Sequence, residues 1–241
     1  MNSYCYMVFA LVIGLTSIHA SASDYAELSA DLDGDKKPEI VVASVLDSDS
    51  EAEEYKKFSI QIGNSNYAGA YYAADGELPK LTVVSLDRNL SSKQLLVKMQ
   101  EPLSCEYFVL AYSSKQLIQL LKFQTGVGCD VQINGDGTLG VPTWEGFWFS
   151  QQIYRLNAEG TQLTLLPQTI HSVGVDATAN KDILLEKAQC DQTFLKQGSK
   201  LRVERFDMAL HRYFINTTFG TCGWLDTKKM NEYLAGLPWS G

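Results

Sequence analysis

The residues with the clearest chemistry lie in the segment Asp31-Leu-Asp-Gly-Asp-Lys-Lys-Pro-Glu39, which holds four carboxylates directly before an apolar run. Asp31, Asp33 and Asp35 alternate along the chain, so a tight turn can aim all three side chains at one point. Glu39 would complete the set from the end next to the apolar run, with the backbone carbonyl of Lys37 as a neutral oxygen ligand. Carboxylates this close repel one another unless a cation lies among them, so the segment predicts a Ca²⁺ site.

The spacing also indicates which kind of calcium loop this is. An EF-hand requires glycine at the sixth position of its loop and a chelating glutamate at the twelfth, whereas this chain has Lys36 and Val42 there. The β-branched residues that follow predict a strand rather than a helix. A loop of this type that leads into a strand resembles the calcium loop of integrin-type FG-GAP or VCBS repeats, which implies a β-propeller blade. The alternative is a solvated acidic turn without a metal.

Enzymatic motifs are not found elsewhere in the sequence. It contains no G-x-S-x-G, no H-E-x-x-H and no glycine-rich phosphate loop. His171 is expected in a linker and His211 on the surface of a hairpin. The aromatic residues between Trp144 and Phe149 are expected to fill a β core, with a platform for sugar rings as the alternative. A non-enzyme is therefore predicted.

The elements that position these residues are predicted to be strands. Short apolar segments, many of them alternating, dominate the chain, and hairpin turns are expected at Ser113-Ser114 and at Asn157–Gly160. The Asp31 loop is echoed around Asp87 and then around Asn134 and Asp136, at intervals of about 50 residues that suit a four-stranded blade. The third copy is expected to be a turn rather than a metal site. Three blades cannot close a ring, so an open or incomplete β-propeller-like region is predicted over residues 23–168.

The C-terminal sequence, residues 173–241, predicts a second unit of short strands. Its pattern Leu195-x-x-Gly-x-x-Leu-x-Val203, followed by Gly220-x-x-Gly-Trp-Leu225, resembles a bacterial SH3-like (SH3b) domain. The resemblance implies a small barrel, and Thr227–Ala235 predicts a short helix after it. Tyr213 and Trp224 are the candidate ligand contacts of this unit, although Trp224 is expected to pack its core with Tyr213 beside it.

The first 22 residues predict a signal peptide. They carry no charged side chain, contain an apolar core and end in Ala20-Ser-Ala22. A periplasmic or secreted protein is therefore expected, with no membrane insertion after cleavage. Cleavage leaves four cysteines in a compartment that permits oxidation, and disulfides are expected between Cys105 and Cys129 and between Cys190 and Cys222. A structural zinc site is the disfavoured alternative.

The net charge of the chain indicates which classes of partner it can bind. A net charge of −8 disfavours binding to nucleic acid and to anionic membranes. The sequence therefore predicts a non-enzymatic exported binding protein, in which a calcium-stabilised repeat region precedes a module that docks a protein, a peptide or a cell-envelope glycan. The alternatives are a periplasmic inhibitor or immunity protein, and a carbohydrate-active hydrolase that uses paired carboxylates.

Overall fold

The computed structural model describes residues 25–46, 55–72, 78–101, 104–126, 131–190 and 192–238. Within these ranges the chain forms β-strands throughout, with one short α-helix near the end. The all-β prediction is confirmed. The predicted signal peptide at residues 1–22 and Cys129 lie outside the described residues.

The N-terminal part folds into three successive four-stranded antiparallel sheets, and in each sheet every strand pairs with its neighbours in sequence. The first sheet contains β1 (Tyr25–Ala30), β2 (Glu39–Leu46), β3 (Tyr55–Ile62) and β4 (Ser65–Tyr72). The second contains β5 (Lys80–Val84), β6 (Gln94–Gln100), β7 (Cys105–Ser113) and β8 (Gln116–Thr125). The third contains β9 (Gln132–Ile133), β10 (Thr138–Trp144), β11 (Phe149–Leu156) and β12 (Leu163–Leu166).

Two of the hairpin connections show why these sheets form simple up-and-down arrangements. Ser114 and Lys115 join β7 to β8 with φ of 51° and 61°, the sign that the tightest hairpin turns require at both central residues. Between β11 and β12, Gly160 has a φ of 70° and its amide donates to the carbonyl of Asn157 at 3.0 Å. Both turns lie where the sequence predicts them.

The second sheet is buried on both faces, which explains why its central strands are almost continuously apolar. One face packs against the first sheet, and the rings of Phe108 and Phe58 meet there edge to face with centroids 5.0 Å apart. The opposite face, which includes Val109, packs against Leu139 and Val141 of the third sheet. The three sheets therefore stack face to face in chain order.

The C-terminal part forms a five-stranded sheet and a small hairpin. The order of the strands across this sheet is β18 (Cys222–Asp226), β17 (Arg212–Asn216), β16 (Lys200–Asp207), β13 (Ile170–Ala179) and β19 (Leu234–Ala235). The hairpin pairs β14 (Ile183–Leu184) with β15 (Phe194–Leu195). A 3₁₀ turn at Thr227–Lys229, capped by the Asp226 carboxylate, leads into α1 (Met230–Tyr233), where the sequence predicts a short helix.

A disulfide joins Cys190 to Cys222 with their Cα atoms 5.6 Å apart, as predicted. Cys105 is buried at the start of β7 and is also disulfide-bonded. Because Cys129 lies outside the described residues, the Cys105–Cys129 pairing stays a prediction.

The C-terminal core is centred on Tyr213 and Phe206 rather than on Trp224. It also includes Phe147 and Trp148, which reach over from the connection between β10 and β11. The indole Nε1 of Trp148 donates to the Tyr213 hydroxyl at 3.2 Å, so aromatic packing joins the third sheet to the C-terminal sheet. The expectation of core packing is confirmed for Phe147 and Trp148, which are both buried, and is wrong for Phe149, which is exposed.

The prediction that Trp224 packs this core is wrong. Tyr213 pairs with Leu225 across β17 and β18, whereas Phe214 pairs with Trp224, and alternation places these two pairs on opposite faces. Trp224 is half-buried on the outer face. There its ring contacts Phe214 and lies 4.4 Å from the Arg212 guanidinium.

Candidate metal site and the adjoining cleft

The loop between β1 and β2 is held in place by a buried leucine. Leu32 is fully buried; its carbonyl accepts from the Lys93 amide of the second sheet at 2.9 Å. Its own amide donates to Glu39 Oε2 at 2.8 Å, which ties the start of the loop to the first residue of β2. Gly34 has a φ of 84° and lies so close to Ser91 that a Cβ atom would be 2.4 Å from the serine hydroxyl oxygen. Glycine is therefore required at this position.

Three of the four predicted carboxylates converge in this loop. One carboxylate oxygen from each of Asp31, Asp33 and Glu39 lies within 4.8 Å of the others. Asp35 is not part of this group. Its side chain is exposed, and its Oδ1 accepts from the Lys37 amide at 2.7 Å. Among the described residues, no other group of three acidic, histidine or cysteine side chains has such spacing.

The converging carboxylates also accept hydrogen bonds from the loop backbone. Asp31 accepts from the amides of Gly34 at 2.8 Å and Lys36 at 3.1 Å, and Asp33 accepts from the Asp35 amide at 3.1 Å. These bonds orient the side chains, and each carboxylate oxygen keeps a second lone pair for a cation.

The spacing of this group fits a calcium ion. Ca²⁺ binds oxygen at about 2.3–2.6 Å, so two oxygens of one coordination shell lie up to about 5 Å apart. Lys36 and Lys37 are close in sequence but exposed. Within the part of the chain that the structure describes, no lysine or arginine forms an ion pair with Asp31, Asp33 or Glu39. Three carboxylates without a countercharge suit a divalent cation.

The charges of the acidic loop affect the pKa of Tyr112, near the end of β7 in the second sheet. Burial raises the pKa of its hydroxyl, and the negative charges of Glu39 and Asp33 raise that pKa further. The tyrosine therefore lies within electrostatic reach of the acidic loop, and its neutral form is favoured there.

A cleft of about 440 Å³ opens beside the acidic loop. It is formed where connections from all three N-terminal sheets meet. Polar and apolar groups share its lining, which comprises Asp33, Gly34, Asp35, Leu90, Ser91, Ser92, Lys93, Gln94, Ala111, Tyr112, Ser113, Ser114, Glu159 and Gly160. A ligand in this cleft would contact the loop that carries the three carboxylates.

The connection between β5 and β6 repeats one backbone contact of the acidic loop but carries a single carboxylate, that of Asp87. Leu86 is buried like Leu32, and its amide donates to Gln94 Oε1 at 3.1 Å, as the Leu32 amide donates to Glu39. The first residue of the following strand is thus glutamine where the first sheet has glutamate. This pairing extends the echo around Asp87 from the sequence to the structure.

The third copy behaves as a turn. Asp136 Oδ1 accepts from the Thr138 amide at 3.0 Å and from the Thr138 hydroxyl. These bonds, led by the hydroxyl, lower the pKa of the Asp136 carboxyl. The backbones of Asp87 and Asp136 form an isolated antiparallel β-bridge. The Gly137 amide also donates to the Leu86 carbonyl at 2.8 Å. These contacts join the turn to the second copy.

The remaining candidates of the sequence lie in the C-terminal part. Tyr213 is buried, and burial raises the pKa of its hydroxyl. Trp224 is half-buried on the outer face of the sheet. His171 is buried between the rings of Trp148 and Phe206 instead of lying in an open linker.

The chain was compared with protein-family models and with curated proteins. No protein-family model and no curated protein matches the chain. No helix in the described residues is long and apolar enough to cross a membrane.

Proposed function

We propose that this chain is an exported, non-enzymatic binding protein whose N-terminal sheets are stabilised by a calcium ion bound to Asp31, Asp33 and Glu39. The observation that carries the proposal is the convergence of these three carboxylates within 4.8 Å in a loop whose backbone already orients them. The Lys37 carbonyl is the further ligand that the sequence suggests. A bound Ca²⁺ would supply charge neutralisation and order the loop.

Ordering this loop would also order the cleft beside it. Asp33 and Gly34 line the cleft together with Lys93, whose amide is bonded to the loop through the Leu32 carbonyl. Calcium binding and ligand binding in the cleft would then be coupled, because each favours the same loop conformation. In this proposal the cation has a structural role and the cleft presents polar side chains to the ligand.

We also propose that the N-terminal sheets form an incomplete β-propeller-like array and that the C-terminal part forms an SH3-like barrel. Three successive four-stranded sheets that stack face to face are what an incomplete propeller-like array of FG-GAP or VCBS type would require. The strand order of the C-terminal sheet, with a 3₁₀ turn before its last strand, suits an SH3-like barrel. This module would dock a protein, peptide or cell-envelope ligand.

Two observations support the non-enzymatic and exported parts of the proposal. His171 is enclosed by aromatic rings, so its imidazole is poorly placed to act as a general base on a substrate. The Cys190–Cys222 disulfide is of the kind that persists in an oxidising compartment, which suits a periplasmic or secreted location.

The experiment is thermal unfolding of the mature chain with and without calcium. Binding to the native state alone stabilises by about 2.7 kcal/mol at a hundredfold excess over Kd, so the melting temperature should rise in millimolar calcium. Asp33→Asn should abolish the rise, and Asp35→Asn is the matched control, because Asp35 lies outside the converging group. A rise that Asp33→Asn leaves intact would contradict the proposal.

A further inference from the structure

Exposed apolar side chains gather at one place in the C-terminal part. Phe219, in the turn between β17 and β18, is 88% exposed. Leu184 and Phe194 are 74% and 51% exposed and pair across the hairpin of β14 and β15. Large apolar side chains exposed in a group mark contact surfaces more often than single ones do.

A cleft of about 600 Å³ lies between Phe194 and Phe219. Its remaining walls carry hydroxyl groups, among them those of Ser199 and Thr217, and the side chains of Lys196 and Lys200. An occupant would therefore meet two aromatic rings together with polar hydrogen-bonding groups.

The two walls of the cleft are fixed to each other. The Cys190–Cys222 disulfide joins them, and the Cys222 amide donates to the Gln192 carbonyl at 3.0 Å. The turn that carries Phe219 is closed by a hydrogen bond of 3.0 Å from the Thr217 amide to the Thr221 carbonyl. A cleft ordered in advance loses little conformational entropy on binding, which favours a real binding surface.

The described residues that line the cleft carry a charge opposite to that of the chain. Among them the charged side chains are those of Lys196 and Lys200, whereas the net charge of the chain is −8. The Lys200 ammonium also donates to Thr178 Oγ1 at 2.9 Å. Asp176 is close by, but it is ion-paired with Arg202 at 2.8 Å. Asp182 accepts from the Gln197 amide at 2.8 Å and lies outside the lining.

We propose that this cleft binds an extended acidic segment of a partner protein. One apolar side chain of the segment enters between Phe194 and Phe219, and carboxylates on either side of it meet Lys196 and Lys200. A concave site fits an inserted side chain better than it fits a flat bilayer. The overall negative charge of the chain also opposes binding to an anionic membrane. The proposal names the partner chemistry of the binding protein proposed above, and it rests on that function without depending on calcium.

The test is fluorescence anisotropy with a fluorescein-labelled synthetic peptide that has a single phenylalanine between pairs of glutamates. Its affinity should fall at least tenfold in Phe219→Ser and in Lys196→Glu, and it should fall as salt is added. The matched controls are Leu210→Ser, which removes an exposed leucine outside the cleft, and Lys228→Glu, which reverses an exposed lysine outside it. Neither control should change the affinity by more than twofold.

Two further probes decide between occupants. A peptide with lysines in place of the glutamates should bind at least tenfold more weakly, and equal binding would overturn the proposal. Phe219-dependent sedimentation with phosphatidylglycerol vesicles, together with no binding of the acidic peptide, would assign the surface to a membrane instead. Thermal unfolding of each variant in calcium shows that it is folded. If the calcium response is intact and the peptide does not bind, only the assignment of this cleft fails.

Discussion

Tyr213→Phe is expected to destabilise the contact between the third sheet and the C-terminal sheet. The substitution removes the hydroxyl that accepts the hydrogen bond from Trp148 Nε1 at 3.2 Å, while the indole stays buried. A buried donor that loses its partner costs about 1–3 kcal/mol. The free energy of unfolding should fall by that amount. Tyr67→Phe is the matched control, since the bond from the Tyr67 hydroxyl to Gln119 is exposed to solvent, and its effect should stay within about 0.5 kcal/mol.

A double-mutant cycle separates this hydrogen bond from general packing. Trp148→Phe removes the donor and leaves a cavity, at a cost of about 2–4 kcal/mol. In the double variant both partners are absent, so its loss should be smaller than the sum of the single losses by about 0.5–3 kcal/mol. Urea unfolding followed by far-ultraviolet circular dichroism measures all four proteins without relying on tryptophan fluorescence. Single effects that add to within about 0.3 kcal/mol would refute the coupling and the interface described above.

Three other predictions concern Trp224, the Cys190–Cys222 disulfide and the Asp136 carboxyl. Trp224→Ala should lower the free energy of unfolding by only about 1–2 kcal/mol, the scale of one aromatic pair and one cation–π contact. Tyr213→Ala should lower it by about 3–5 kcal/mol. A larger loss for Trp224→Ala than for Tyr213→Ala in urea unfolding would mean that Trp224 packs the core. Replacing both Cys190 and Cys222 by serine should cost about 4 kcal/mol on the chain-entropy model for a sequence separation of 32, and an unchanged urea midpoint would contradict this. Thr138→Val should raise the pKa of Asp136 in an NMR titration, because the Thr138 hydroxyl is the main group that lowers it. As the folded-state pKa is depressed, its contribution to stability is present above the unfolded pKa of about 4 and is lost as the pH falls through the folded value; an unshifted titration in the variant would contradict the assignment.

Local sequence was sufficient for the strands, the two hairpin turns and the Cys190–Cys222 disulfide. The strands depend on alternation and the turns on turn chemistry, which neighbouring residues supply. The even number of cysteines predicted disulfides, and Cys190 was paired with Cys222 because both lie in one predicted unit. The alternate spacing of Asp31 and Asp33 likewise predicted that carboxylates would converge. Asp35 was expected with them, but it lies outside the converging group although it makes the same local hydrogen bond to the amide two residues on as Asp33 does. The alternate spacing therefore did not decide which of the three aspartates converge.

The position of Trp224 depended on residues far away in sequence. Strand β17 has apolar side chains on both faces, so alternation alone does not decide which face is covered. Phe147 and Trp148 from another sheet cover the Tyr213 face and leave Trp224 on the outside. The cleft beside the acidic loop was beyond local reasoning for the same reason, since it is lined by connections from three different sheets. The C-terminal cleft required the contact between the β14–β15 hairpin and the turn between β17 and β18.

Calcium binding in the loop between β1 and β2 can be measured by isothermal titration of the mature, disulfide-bonded chain with calcium chloride. One ion should bind per chain. Asp33→Asn and Glu39→Gln should each abolish this binding, and Asp35→Asn should retain it. Binding that is absent in the unsubstituted protein, or that is lost in Asp35→Asn but kept in Glu39→Gln, would contradict the proposed calcium site.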